Sequence, residues 1–161
     1  MRGGALPPAL LAAALGFVLA FAPRKAIAPA VVTFGLVAVA ASFIRADAAK
    51  TDLVFYACWA SVAATALSIH LPKLLDLSWA IILAANAGLW AGAVIGVAGV
   101  PLDLAKSLPW VFLCLPGAWL VSRKLGVGVK VVASWLVAVS LLAAFLPVTT
   151  PTPGYAGDHM E

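Results

Sequence analysis

Charge is what this sequence has least of. Asp, Glu, Lys and Arg together make up 10% of its 161 residues, where a soluble domain carries about a quarter. The hydrophobic share is 65%, and the mean hydropathy is +1.11. A soluble fold of this length has too little polar surface to cover so much apolar side chain. Lipid is therefore the expected solvent. In lipid every backbone N–H and C=O has to be paired internally, which leaves helices or a closed barrel. The apolar runs are continuous and lack the period-two alternation of barrel strands, so helices are expected.

Cysteine is nearly absent too. Cys58 and Cys114 are the two present, both inside apolar runs, and neither a disulfide framework nor a metal-ligand spacing can be built from them. The chain lacks a His-Glu-x-x-His pair and a Gly-x-Ser-x-Gly elbow, which removes two common catalytic signatures. Its apolar runs contain no Asp, Glu, Lys or Arg. Intramembrane ionisable groups mark proton relays, ion coupling and most membrane catalysis, so a proton-driven antiporter is disfavoured. An enzyme would have to work from interfacial groups such as Asp47, Asp103 or His70. Neither cofactor nor metal is expected. The tail residues Asp158, His159, Met160 and Glu161 resemble a weak metal patch, but a free tail loses conformational entropy on binding.

What is present reads as six apolar segments, at residues 6–22, 26–44, 53–69, 77–100, 108–121 and 131–146. At about 1.5 Å per residue they span about 21 to 36 Å, to be compared with a hydrocarbon core of about 30 Å. The fifth is the shortest and is expected to borrow flanking residues such as Ser107 and Ser122. The expectation is an all-α polytopic membrane protein: a bundle of about six transmembrane helices with short loops over residues 1–146. Residues 147–161, rich in proline and glycine, form a flexible polar tail. The first segment, with Arg2 before it and Ala20-Phe21-Ala22 at its end, has some features of a signal peptide. Arg24 and Lys25 would then be translocated, so a retained helix is favoured.

The net charge is +4, but the basic residues stand singly or in pairs at segment ends rather than in a patch. That pattern sets topology and touches anionic headgroups, and nucleic acid is not an expected partner. Arg24, Lys25, Lys73, Arg123, Lys124 and Lys130 fall on one side, and Arg2, Arg45, Lys50 and Lys106 on the other. The bias places both termini on the non-cytoplasmic side of what an Ala-rich composition suggests is a bacterial inner membrane. Arg45, Lys50 and Lys106, interleaved with Asp47, Asp52 and Asp103, are candidate headgroup contacts.

Several motifs stand out. Gly88, Gly92 and Gly96 repeat every fourth residue and lie on one helical face, where a neighbouring backbone can approach closely. The partner helix can belong to the same chain or to another subunit. Asn86, an amide in mid-span, needs a hydrogen-bond partner across helices or a ligand. Pro116-Gly117 breaks the regularity of the fifth segment. With Asn86, these two residues are the candidate substrate path, because broken helices line transporter sites. Trp79 and Trp110 are placed at helix starts, in an aromatic belt. Asp47 to Thr51 resembles Asp103 to Ser107 at an offset of 56 residues, and residues 31–39 echo 131–139 at an offset of 100. The echoes suggest three hairpins inserted the same way round, although a chain of Ala, Val and Leu also matches itself by chance.

Three function classes follow, in this order: a non-enzymatic subunit, scaffold or assembly partner of a membrane complex; a small carrier or channel for an uncharged or lipid-like substrate; and an interfacial lipid-modifying enzyme. The expected partners are the bilayer itself and a homo-oligomer or larger complex.

Overall fold

The computed structural model describes residues 5–44, 51–71 and 75–149. It is all-helical, and the chain is a polytopic membrane protein. In chain order the helices are α1 (Leu6–Leu19), α2 (Arg24–Ser42), α3 (Thr51–Leu67), α4 (Leu77–Ala98), α5 (Pro101–Ser107), α6 (Cys114–Ser122) and α7 (Gly126–Thr149). A 3-10 turn, Ser68–His70, extends α3, and a 3-10 segment, Leu108–Leu113, joins α5 to α6 in one span. Five spans are long and apolar enough to cross a membrane. The sixth, α1, has 14 residues and rises only about 21 Å.

The short helix is the centre of the bundle. Leu11, Ala12, Ala14, Leu15, Val18 and Leu19 are fully buried. Helices α3, α4, the α5–α6 span and α7 all pack on it. A helix apolar on every side belongs in a core. The two prolines at its first turn cost nothing there, because their missing N–H groups would be unpaired anyway.

Helices α2 and α7 are peripheral. α2 packs chiefly on α4 through Ala26, Ala30, Phe34, Ala38 and Ala41, while Val32, Leu36, Val39 and Phe43 point outward. α7 packs chiefly on α3, burying Val129, Ala133, Leu136 and Ser140 and exposing Val131, Trp135, Leu142 and Phe145. The three sequence hairpins are thus not packed alike, since α2 rests on α4 rather than on α1.

The largest departures from the segment boundaries read in the sequence are in the last two spans. The fifth span does not begin at residue 108. It begins at Pro101 and runs 22 residues to Ser122. Proline ends the preceding helix but suits the first position of the next, and the Asp103 carboxylate accepts the Val100 N–H at 3.4 Å. Trp110 therefore lies in mid-span rather than in a belt at a helix start. Helix α7 begins at Gly126, ahead of residue 131, and continues to Thr149. Pro147 falls in its last turn, where a missing donor forfeits a single bond.

Helix α6 ends in a Schellman closure. The Leu125 N–H donates to Leu120 O at 2.9 Å, and the Lys124 N–H to Val121 O at 3.1 Å. The residue that must turn left-handed is Lys124, at φ 62°, where glycine is the usual choice. The left-handed conformation costs a side-chain-bearing residue about 1–2 kcal/mol. Lys124→Gly is therefore expected to raise stability by about 1 kcal/mol in a detergent unfolding titration. A loss of stability would mean that the lysine side chain is tied into the bundle.

Candidate functional site

One pair of polar side chains at mid-depth closes across two helices. Asn86 of α4 donates its Nδ2 hydrogen to Ser61 Oγ of α3 at 2.6 Å. Along the same buried face of α3, Ser68 donates back to Ala64 O. Thr65 Oγ1, and Trp59 Nε1 on the same helix, have no partner among the described residues. Ser140 of α7 returns its proton to its own helix, at Leu136 O and Val137 O. These contacts form isolated pairs rather than a continuous polar track. Ser61→Ala would leave the Asn86 amide without its acceptor and is expected to cost about 0.6–2 kcal/mol, read as a shift in the unfolding midpoint in mixed micelles. An unchanged midpoint would mean that the amide finds another partner at no cost.

The glycine stripe faces α2. A Cβ at Gly88 would lie 2.6 Å from Phe34 O. One at Gly92 would run into Ala38 O and come within 2.7 Å of Ala41 Cβ, and one at Gly96 would lie 2.6 Å from Ile44 O. The register rises together along both helices, so α2 and α4 run parallel with their backbones in contact. A further close approach is at Gly16 of α1. There a Cβ would lie 2.7 Å from Val111 O and 3.2 Å from both Trp110 O and Cys114 N. Gly16 escapes a sequence reading because a lone glycine makes no stripe.

Pro116 and Gly117 separate. Pro116 is exposed. Gly117 turns to α1, where a Cβ would lie 2.8 Å from Ala20 Cβ. The irregularity the proline causes lies just before it. Its ring displaces the carbonyl four residues back, and the span is wound as a 3-10 helix over Leu108–Leu113. Two grooves among the described residues, one between α2 and α6 and one between the end of α2 and α5, are not lined by Asn86, Pro116 or Gly117. Lys106 is exposed on α5, whereas Arg45 and Lys50, read with it as headgroup contacts, lie outside the described residues, as do Lys73 and the tail from residue 150.

The titratable groups at the interface are dispersed. Asp76 caps α4, its Oδ1 accepting the Trp79 N–H at 2.7 Å. His70 Nε2 lies 3.4 Å from Ser134 Oγ. Cys58 and Cys114 are buried free thiols. Among the described residues no group of three His, Cys, Asp or Glu side chains converges as metal ligands would.

One feature with room for a ligand is an open groove of about 1000 Å³ between the first half of α2 and the α5–α6 span. Its walls are apolar: Ile27, Val31 and Val32 on one side, Phe112, Leu115 and Trp119 on the other. Its polar end carries Arg24 and Ser122. Ser122 Oγ is tied to Trp119 O at 2.7 Å, and the Arg123 guanidinium stands over the Trp119 ring, 5.4 Å from its centroid. Sequence reading treats these basic residues as topology signals and general headgroup contacts. Comparison with protein-family models, curated proteins and solved structures finds no match to this chain.

Proposed function

We propose that this chain is a non-enzymatic subunit or scaffold of a larger complex in a bacterial cytoplasmic membrane. The observation that carries the reading is the closed interior. Helix α1 fills the centre with aliphatic side chains, and the mid-depth amide is satisfied by Ser61. A carrier or channel needs a polar path or an intramembrane charge, and an enzyme needs converging reactive groups. What the bundle offers to others is its outer surface, above all the faces of α2 and α7 that no other helix covers among the described residues. The glycine stripe is not part of that offer, because α2 occupies it within the chain.

The test is purification at native expression in mild detergent after photo-crosslinking from Leu36 and Trp135. A membrane protein crosslinked in stoichiometric amount supports the reading. Recovery of the chain alone from both positions contradicts it. A second reading, a small carrier for a lipid-like substrate, is favoured by one observation: the groove between α2 and α6 is apolar, open along its side and polar at one end.

A further inference from the structure

We propose that this groove seats an anionic glycerophospholipid, with an acyl chain against α2 and the α5–α6 span and the phosphate at Arg24 and Arg123. The inference does not depend on the chain being a subunit. Depth is the first argument. From Arg24 to Val32 the α2 wall descends about 12 Å, and from Ser122 to Phe112 the opposite wall descends about 15 Å. Half of a hydrocarbon core of about 30 Å is about 15 Å, the reach of the acyl chains of one leaflet. The volume, about 1000 Å³, lies at the upper end of the range of about 300–1,000 Å³ found for ligand clefts.

Charge is the second argument. Apart from the Cys114 thiol, the polar side chains on the lining are Arg24 and Ser122, and both stand at the interfacial end. Lys25, Arg123 and Lys124 flank them in the two adjoining loops, and all are exposed. Residues 20–25 and 122–130 contain no Asp or Glu, so these loops supply no counter-charge for the cations. Arg123 is held at the mouth by its contact with Trp119, which lines the groove. An apolar slot with cations at the headgroup level matches an anionic lipid, and fits a zwitterionic one less well. A second copy of the chain would bring the same positive mouth and be repelled. The left-handed Lys124 adds to this: a lysine sits where glycine would close the helix with less strain.

The test uses the full chain, delipidated in neutral detergent and offered equal dioleoylphosphatidylglycerol and dioleoylphosphatidylcholine, with bound lipid read by native mass spectrometry. The wild-type protein is expected to retain one phosphatidylglycerol with about tenfold preference. The double substitution Arg24→Gln, Arg123→Gln is expected to bring the preference to within about twofold. Ala118→Trp, which fills the slot, is expected to abolish retention of either lipid, and Leu142→Ala, on the outer face of α7, to change nothing. Should the double variant fail to fold, Lys124→Gly, which relieves backbone strain, is expected to lower the preference about threefold in a folded protein. Equal retention of the two lipids by the wild type would overturn the proposal. So would an unaltered preference in the arginine and lysine variants, or unchanged retention in Ala118→Trp. Displacement of the lipid by an acidic protein segment in the crosslinked complex would also overturn it.

Discussion

Gly92→Leu is expected to destabilise the bundle by about 3 kcal/mol or more, at the top of the range for overpacking. A side chain at this position would meet Ala38 O, Ala41 Cβ and Ser42 N of α2, mostly backbone atoms that no rotamer change can move aside. The helices would have to part. Because α2 is held chiefly by this seam, parting it releases α2 from the bundle. Apolar burial drives little helix association in lipid; close van der Waals contact between backbones does. The readout is the unfolding midpoint in a titration of dodecyl sulfate into mixed micelles, followed by tryptophan fluorescence. Gly35→Ala, on α2 itself, is the control. A Cβ there meets nothing within 4 Å, so it is expected to be neutral or to stabilise by about 0.4–1 kcal/mol. If Gly92→Leu left the monomer's stability intact and changed only its oligomeric state, the stripe would be an interface between chains.

Leu15→Ala is expected to cost about 2–5 kcal/mol, whereas Leu142→Ala is expected to cost almost nothing. Leu15 is 0% exposed in the middle of α1, and Leu142 is 63% exposed on α7. Deleting three carbons beneath four packed elements leaves a cavity that a ring of helices cannot collapse. Deleting them at the rim only exchanges leucine for lipid. The same titration measures both. Comparable costs at the two positions would mean that α7 is covered by protein, as an unseen subunit contact would require. A negligible cost at Leu15 would remove α1 from the centre.

The sequence displayed the spans because proline and charge punctuate their ends, and it displayed the Gly88–Gly96 stripe because regular spacing survives in any context. It did not display which helix answers that stripe. The inward residues of α2, Ala30, Phe34 and Ala38, are no more apolar than the outward Val32 and Leu36. In lipid both faces of a helix are greasy, so hydrophobic periodicity carries no direction. The start of the fifth span was hidden for a related reason: Asp103 and Lys106 read as loop, yet charges are tolerated in the first two turns of a span at the membrane edge. The basic pairs at 24–25 and 123–124 were visible as topology signals. Their shared groove was not, because only the fold brings the loop after α1 beside the end of α6. Asn86 was legible as a polar group needing a partner, but Ser61 is one of several small polar residues that could have met it.

The most direct test of a lipid-embedded bundle closed around α1 is nitroxide labelling at positions 36, 135 and 61 in reconstituted vesicles. Collision rates with oxygen and with a water-soluble nickel chelate are then compared. Labels at 36 and 135 are expected to collide freely with oxygen and hardly at all with the chelate, and a label at 61 to be sheltered from both. Chelate access at 61, or at the two outer positions, would show water where the account places lipid and packed protein.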